Sequence, residues 1–275
     1  MSHVRKCPCE AVGVQQCIDL TGDDSDATMD YRVASDDACS ESGDSTVEPV
    51  FSIGYCSLTL EYTGASRYDQ VEQLAMRCVT NGRYTASDLE CIIDALPQDR
   101  VRVHQNMTMA LKPGVSFTSG AFQAGGLIGL RNNTLDLPWV TAFLCQLVHR
   151  ATDRHYFSSL TLLRNVFSDM HCDINNHPFC PSILIPLGQW YGGELWCEDV
   201  LGDVQYPGKL HTGVVKPIKA PFIEFNSQLL HGTFTWRGTR TVLAAYHIAS
   251  HTALPVEQFN RLERLGFRPM PVADE

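Results

Sequence analysis

The sequence lacks any run near the about 18 uncharged apolar residues that a membrane-spanning helix requires, so no such helix is expected. Its start, MSHVRKCPCEAV, lacks the apolar core of a secretory signal. Export is therefore not expected, and an intracellular setting, nuclear or cytoplasmic, is. The 11 cysteines lack a repeating spacing and are odd in number. In an unexported chain they read as free thiols rather than a disulfide framework. Internal repeats are absent. Aromatic residues are nearly missing from residues 1–49, which are rich in Asp, Ser, Gly and Thr.

Basic residues are also in deficit, 21 Lys and Arg against 31 Asp and Glu, but the deficit is local. Residues 1–50 hold 3 against 11, and the remaining 225 hold 18 against 20. The acidity belongs to the first segment, so net charge neither excludes nor suggests a nucleic-acid substrate. Residues 1–49 bury too little apolar surface to offset the entropy of ordering and are expected to be a disordered acidic tail. Within them Cys17-Ile18-Asp19-Leu20-Thr21 is an apolar island followed by Asp23, Asp24 and Asp26. Such a β-prone patch with adjoining acids can add a strand to a partner's sheet edge. It resembles a SUMO-interaction motif, which implies a SUMO-like partner met through Ile18, Asp19, Leu20 and Thr21. A chance apolar cluster is the other reading.

The spacing beyond the tail predicts a strand over Phe51–Thr63 and a helix over Tyr68–Val79 ended by Asn81-Gly82. A second helix is expected with Ser87 as its cap, Glu90 three residues on, and Leu89, Ile92, Ile93 and Leu96 buried. Nine short apolar or alternating runs follow: Val115–Gln123, Gly126–Asn132, Leu160–Phe167, Ser182–Leu187, Glu194–Cys197, Gly213–Ile218, Pro221–Phe225, Gly232–Trp236 and Arg240–Ile248. Many short strands between turn signals argue for an antiparallel sandwich or barrel. Pro138–Arg150 reads as an amphipathic helix with Pro138 in its first turn, Pro255–Leu265 as a closing helix, and Arg268–Glu275 as a loose end.

The chemistry concentrates in Met170-His171-Cys172-Asp173-Ile174-Asn175-Asn176-His177. His171 and Asp173 are two apart, so on a strand they share a face. His231, just before a predicted strand, supplies a third ligand. Two imidazoles and one carboxylate leave positions open on a metal, the arrangement of non-heme Fe(II) oxygenases. A structural Zn(II) would take a closed tetrahedral set instead. Arg240 follows nine residues after His231 and opens the next strand. Its guanidinium can pair bidentately with a carboxylate, which suits a 2-oxo acid cosubstrate.

His171-x-Asp173, His231 and Arg240 resemble the Fe(II)/2-oxoglutarate-dependent dioxygenase superfamily, as does Gly192-Gly193-Glu194-Leu195. The resemblance spans roughly Phe117 to Ile248. Gly120-Ala121-Phe122 with Gly125-Gly126, Met170 to Asn176, and Trp196-x-Glu198-Asp199 further resemble uncharacterised algal and protist members, distantly similar to enzymes that oxidise methyl groups on DNA bases. The resemblance implies a mainly β (α+β) fold, a double-stranded β-helix or jelly-roll core with flanking helices. It implies Fe(II), 2-oxoglutarate and O2, with His171, Asp173 and His231 on the metal, and Arg240 on the cosubstrate. It also suggests Asn165, on the strand before the His-x-Asp loop, as a cosubstrate contact, with a structural amide as the other reading. The chain departs from the family where Arg240 is followed by Thr241-Val242, with no Ser two residues on.

The expected organisation is residues 1–49 as tail, 50–112 as strand and helical support, 113–250 as the dioxygenase core, and 251–275 as helix and tail. The insert between Glu194 and His231, with Gly202, Pro207, Gly208, Gly213, Pro217 and Pro221, reads as a lid. Arg237 reads as solvated, Asn175 and Asn176 as loop-shaping, and His247 and His251 as surface or satisfied core residues. Tyr246 either points into the barrel or packs in the core. Cys172, His177 and Cys180, and Cys7, Cys9 and Cys17, are weak second metal candidates. Trp190, Tyr191 and Trp196 either stack on a flat substrate or pack the sandwich. The substrate expected is a modified nucleobase in nucleic acid or a protein side chain. The readings of other classes are an inactive jelly-roll interaction module and a cupin-like metalloenzyme that has no need of Arg240.

Overall fold

Apolar residues three and four apart set the first helix. The computed structural model describes residues 48–53, 60, 68–97, 112 and 114–271. Within them β1 (Val50–Ser52) precedes α1 (Asp69–Asn81), which buries Val71, Ala75, Cys78 and Val79 along one stripe. Gly82 ends α1 in left-handed backbone at φ 63°, where glycine meets no Cβ penalty. β2 (Arg83–Thr85) then pairs antiparallel with β1. Most of the strand expected over 51–63 lies outside the described residues. So does the whole segment 1–47, including the island at 17–21 and Cys7 and Cys9.

The cap of α2 (Ala86–Asp94) is Thr85 rather than Ser87. Thr85 Oγ1 accepts the Asp88 N–H at 3.1 Å, and the Asp88 carboxylate accepts the Thr85 N–H at 2.9 Å. Because β2 runs straight into the helix, its last extended residue does the capping. The buried face is as expected: Leu89, Ile92 and Ile93.

β3 (Val115–Ala124) and β4 (Leu127–Leu130) form a hairpin, followed by the short α3 (Asn132–Asp136) and by α4 (Pro138–Ala151) with proline in its first turn. The sequence pattern suggested an amphipathic α4. In the structure Trp139 through Val148 are all buried, because α1, α3 and the main sheet enclose the helix. The N-terminus of α4 has no side-chain cap of its own. Glu72 of α1 replaces it, accepting the N–H groups of Trp139 and Val140 at 3.0 and 2.9 Å. Burial pushes the Glu72 carboxyl up to about 7, against the pull of those two N–H groups.

The rest of the chain is mainly strand: β5 (Ser159–Arg164), β6 (Ser182–Pro186), β7 (Tyr191–Gly192), β8 (Leu195–Glu198), β9 (Val204–Gln205), β10 (Thr212–Lys216), β11 (Ile223–Phe225), β12 (His231–Thr233), β13 (Trp236–Arg237) and β14 (Thr241–Tyr246), then α5 (Val256–Arg264). Among the described residues every strand pairing is antiparallel. A six-stranded sheet has the order β11-β6-β14-β5-β3-β4, a four-stranded sheet the order β12-β8-β10-β9, and β7 pairs with β13.

Strand alternation sorts side chains between two cores. Leu160, Leu162, Ile183, Ile185, Leu243 and Ala245 pack with α1, α2 and α4 on one face of the larger sheet. Leu184, Phe225 and Ala244 point the other way and meet Leu195, Cys197 and Val214 of the smaller sheet. Burying each large aliphatic side chain in these cores contributes about 1.5–3 kcal/mol. Arg164, also on the helix side and 1% exposed, pairs with Glu90 and Asp94 and ties α2 under the sheet.

Two loop readings change. The stretch from Glu194 to His231 is not all loop; β8, β9, β10 and β11 run through it as sheet, and the turns between them leave Val200, Leu201 and Leu210 exposed. The first residues of the expected loose end, Arg268 to Met270, are anchored, and 272–275 lie outside the described residues. Arg268 exchanges backbone hydrogen bonds with Phe157 at 2.8 and 3.1 Å, and the Met270 N–H donates to His247 Nε2 at 2.9 Å.

Candidate metal centre

An isolated antiparallel bridge brings two histidines together. His171 and His231 each donate their backbone N–H to the other's carbonyl at 2.9 Å. Directly opposed residues present their side chains on one face, and the two imidazole centroids are 4.3 Å apart. Asp173 follows in the turn, fixed by its N–H to the Ser227 carbonyl at 2.8 Å. Its Oδ1 lies 3.6 Å from His171 Nε2 and its Oδ2 3.7 Å from His231 Nε2.

The tautomers follow from the neighbours. His171 Nδ1 is 2.7 Å from the Asp169 carbonyl, and His231 Nδ1 is 2.9 Å from the Leu229 carbonyl. A carbonyl only accepts, so each Nδ1 carries a proton and each Nε2 is the ring atom turned to Asp173 and placed to serve a metal. One ligand atom from each of the three residues lies within 4.8 Å of the other two. Among the described residues this is the only such His/Cys/Asp/Glu group, so Cys172, His177 and Cys180 do not assemble. His231 is buried, and its pKa is held down by burial and by the adjacent His171. The His171 and Asp173 side chains are 42% and 40% exposed, so the centre opens on that side.

A buried layer supports the carboxylate. Asn176 donates to Ser227 Oγ at 3.0 Å and approaches Asp173 Oδ2 at 3.4 Å. Gln228 Nε2 holds the carbonyls of Asp173 and Asn176 at 3.0 and 2.7 Å. The expected loop-shaping role of Asn176 is thus joined by a carboxylate contact. Ser227 and Gln228 went unnoticed in the sequence because neither carries a local signal.

Arg240 lies immediately before β14 and is 2% exposed. Its Nε donates to the Gly193 carbonyl at 3.1 Å, and its guanidinium carbon sits 5.8 and 5.5 Å from the Trp190 and Trp236 rings. A Cβ on Gly193 would stand 2.8 Å from Arg240 Cδ, which accounts for glycine at that position. Burial pushes the Arg240 pKa down to about 10, opposed by the Glu194 charge. Among the described residues no carboxylate forms an ion pair with Arg240. Arg237, by contrast, is exposed.

Asn165 is engaged with backbone. Its Oδ1 accepts the Arg240 N–H at 2.9 Å and its Nδ2 donates to the Lys112 carbonyl at 2.8 Å. The structure thus ties it to Arg240. Trp190 packs on Arg240, Trp196 is fully buried with its N–H on the Val204 carbonyl, and Tyr191 is exposed. His247 and His251 are both buried, their rings 4.5 Å apart. A cavity of about 350 Å³ is lined by Asp173 together with Thr161, Ala244 and Tyr246, so Tyr246 faces inward.

No family model and no curated protein matches the sequence. Among solved structures, the chain is similar to a 2OG-Fe(II) oxygenase family oxidoreductase from Burkholderia pseudomallei, at 18% identity over 64% of this chain and 88% of that one, with a TM-score of 0.36. It is also similar to the viral collagen prolyl hydroxylase of Paramecium Bursaria Chlorella virus-1, at 13% identity, 48% and 78% coverage, and a TM-score of 0.22. A third is the Fe(II)/(alpha)ketoglutarate-dependent dioxygenase TqaL, at 12% identity, 64% and 86% coverage, and a TM-score of 0.23.

Proposed function

We propose that this protein is an Fe(II)- and 2-oxoglutarate-dependent dioxygenase with a double-stranded β-helix core over residues 113–250. Residues 50–112 form its support and 251–275 its closing segment. The observation that carries this is the donor set itself. Two Nε2 atoms and one carboxylate converge within 4.8 Å from one side, and the fourth neighbour is an asparagine amide rather than another ligand. Such a two-histidine, one-carboxylate set suits Fe(II) with open positions better than a closed zinc site. The two facing antiparallel sheets, with the triad between the turn after His171 and the start of β12, support the same reading.

His171, Asp173 and His231 would hold the metal. Fe(II) bound there with 2-oxoglutarate and O2 supplies the oxidation of a substrate C–H bond. The chain's own residues position and shield. The Asp169 and Leu229 carbonyls fix the imidazole tautomers, and Asn176 steadies the carboxylate. Arg240 would meet the far carboxylate of 2-oxoglutarate. Its buried, unpaired charge, sandwiched by Trp190 and Trp236, favours such a partner. The cavity beside Asp173 is large enough for a single base or side chain.

Anaerobic titration of the Fe(II)-loaded protein with 2-oxoglutarate tests this. A weak visible charge-transfer band should appear in wild type, vanish in His171→Ala, and need far more cosubstrate in Arg240→Ala. A well-folded wild type that gives no band overturns the proposal.

A further inference from the structure

The cavity beside Asp173 has a second wall that the metal chemistry does not use. It comes from the β3–β4 hairpin and the residue that follows it: Phe122, Gln123 and the exposed Arg131 line the same cavity as Cys172 and Asp173. Phe122 lies across from Gly129 in the hairpin. A Cβ on Gly129 would stand only 3.3 Å from the Phe122 ring, so glycine lets the ring lie against β4. The Arg131 guanidinium carbon sits 5.4 Å from the ring centroid, and the Arg131 N–H donates to the Gly120 carbonyl at 2.9 Å. The cation is therefore held over an aromatic platform.

Arg131 also lines an adjoining hollow of about 330 Å³, shared with Phe122, Leu130, Asn132 and Asn133. It thus stands on the ridge between two concave surfaces. Among the described residues it forms no ion pair, and Asp173 is the only carboxylate lining the larger cavity. Under the function proposed above, on which this inference rests, Asp173 serves a metal ion. Arg131 then remains the uncompensated charge of the cavity wall.

We infer that Arg131 selects the substrate, and that the substrate is an organic anion whose phosphate or carboxylate group pairs with this guanidinium while the rest of the molecule enters the cavity toward Asp173. The planar fork matches either oxyanion group bidentately. Phe122 restrains the guanidinium, so less side-chain entropy is lost on binding.

The test is calorimetric titration of the full chain with matched pairs of probes. One arm compares uridine monophosphate with uridine, the other hexanoate with hexanamide. Wild type should bind the anionic member of at least one pair about tenfold more tightly than its neutral partner. Arg131→Gln should abolish that preference and leave the neutral member unchanged, and Arg131→Lys should keep part of it. The arm that responds identifies phosphate or carboxylate as the group read. Equal binding of both members in both arms, no binding below about 10 mM, or a preference that survives in Arg131→Gln overturns the inference. Titration of the Fe(II)-loaded variant with 2-oxoglutarate separates the two proposals. An unchanged band in Arg131→Gln leaves the substrate role standing. A band lost only in Arg131→Gln assigns the arginine to the cosubstrate and overturns it. A band missing from wild type fails the dioxygenase reading, whatever the probes show.

Discussion

Asn165 and Arg240 are joined twice. The Asn165 side-chain oxygen accepts the Arg240 N–H at 2.9 Å, and the Asn165 N–H donates to the Arg240 carbonyl at 2.8 Å. Among the described residues Asn165 is the only non-glycine with positive φ, at 53°. Asparagine tolerates this region better than most residues, and the local cost is held by the surrounding bonds. The pair fixes where the buried arginine leaves the backbone. Asn165→Ala should therefore raise the 2-oxoglutarate concentration needed for half-saturation about tenfold, with Fe(II) affinity unchanged. Separate titrations of metal and cosubstrate check this. An equal loss of both would show a general structural defect instead.

Metal binding should stabilise the fold. At about 100 times the dissociation constant the gain is about 2.7 kcal/mol, or roughly 5–10 °C in Tm for a domain of this size. Mn(II) should produce that rise in wild type and none in Asp173→Ala. Asn176→Ala should weaken metal affinity about tenfold or more, because an outer contact to the carboxylate is lost. Thermal melts across a metal series decide the matter.

Glu72 makes stability depend on pH. Burial raises its carboxyl from 4.5 to about 7, so the folded state holds the proton more tightly than the unfolded chain. The contribution is present in full below pH 4.5 and is lost as pH rises through about 7, a change of at most about 3 kcal/mol. Glu72→Gln cannot titrate. Urea unfolding at pH 5 and pH 8 should show the variant gaining on wild type at the higher pH. Parallel behaviour of the two proteins would refute the assignment.

His247 acts in the opposite sense. Burial lowers its pKa from 6.5 to about 4, with the nearby His251, His177 and His155 adding to the effect and the Ile248 carbonyl opposing it. As a neutral ring it donates from Nδ1 to that carbonyl and accepts the Met270 N–H. Its contribution is present above pH 6.5 and is lost as pH falls through about 4. Acid should therefore release the C-terminal anchor first. Amide hydrogen exchange, corrected for its intrinsic pH dependence, should show the Met270 N–H protected at pH 7 and opened once the pH falls below about 4. In His247→Leu, which leaves the Met270 N–H unpaired, it should be unprotected at both.

The His-x-Asp spacing, the third histidine and the arginine nine residues later were readable because they are fixed by chain order. So were α1, the buried face of α2, and most strands, whose alternation survives in β5, β6 and β14. The cap of α2 was misplaced because two hydroxyl residues compete locally, and the strand leading into the helix chose between them. The all-round burial of α4 was hidden because its apolar pattern does not show how many neighbours will cover it. The short strands after Glu194 were hidden because the segment's glycines and prolines mark turns, and the pairing partners of β8 and β10 are set by register rather than local pattern.

By itself the sequence determined the ligand types, their order, and the period-2 and helical patterns that make a mainly β chain with a helical layer. Only the tertiary structure decided which groups face one another. It turned Asn165 toward the Arg240 backbone, set Glu72 at the head of α4, and brought Arg131 and Asp173 into the lining of one cavity. Each of these joins residues from separate parts of the chain, 42 to 75 positions apart. Their meeting follows from sheet register and burial, which no local spacing encodes.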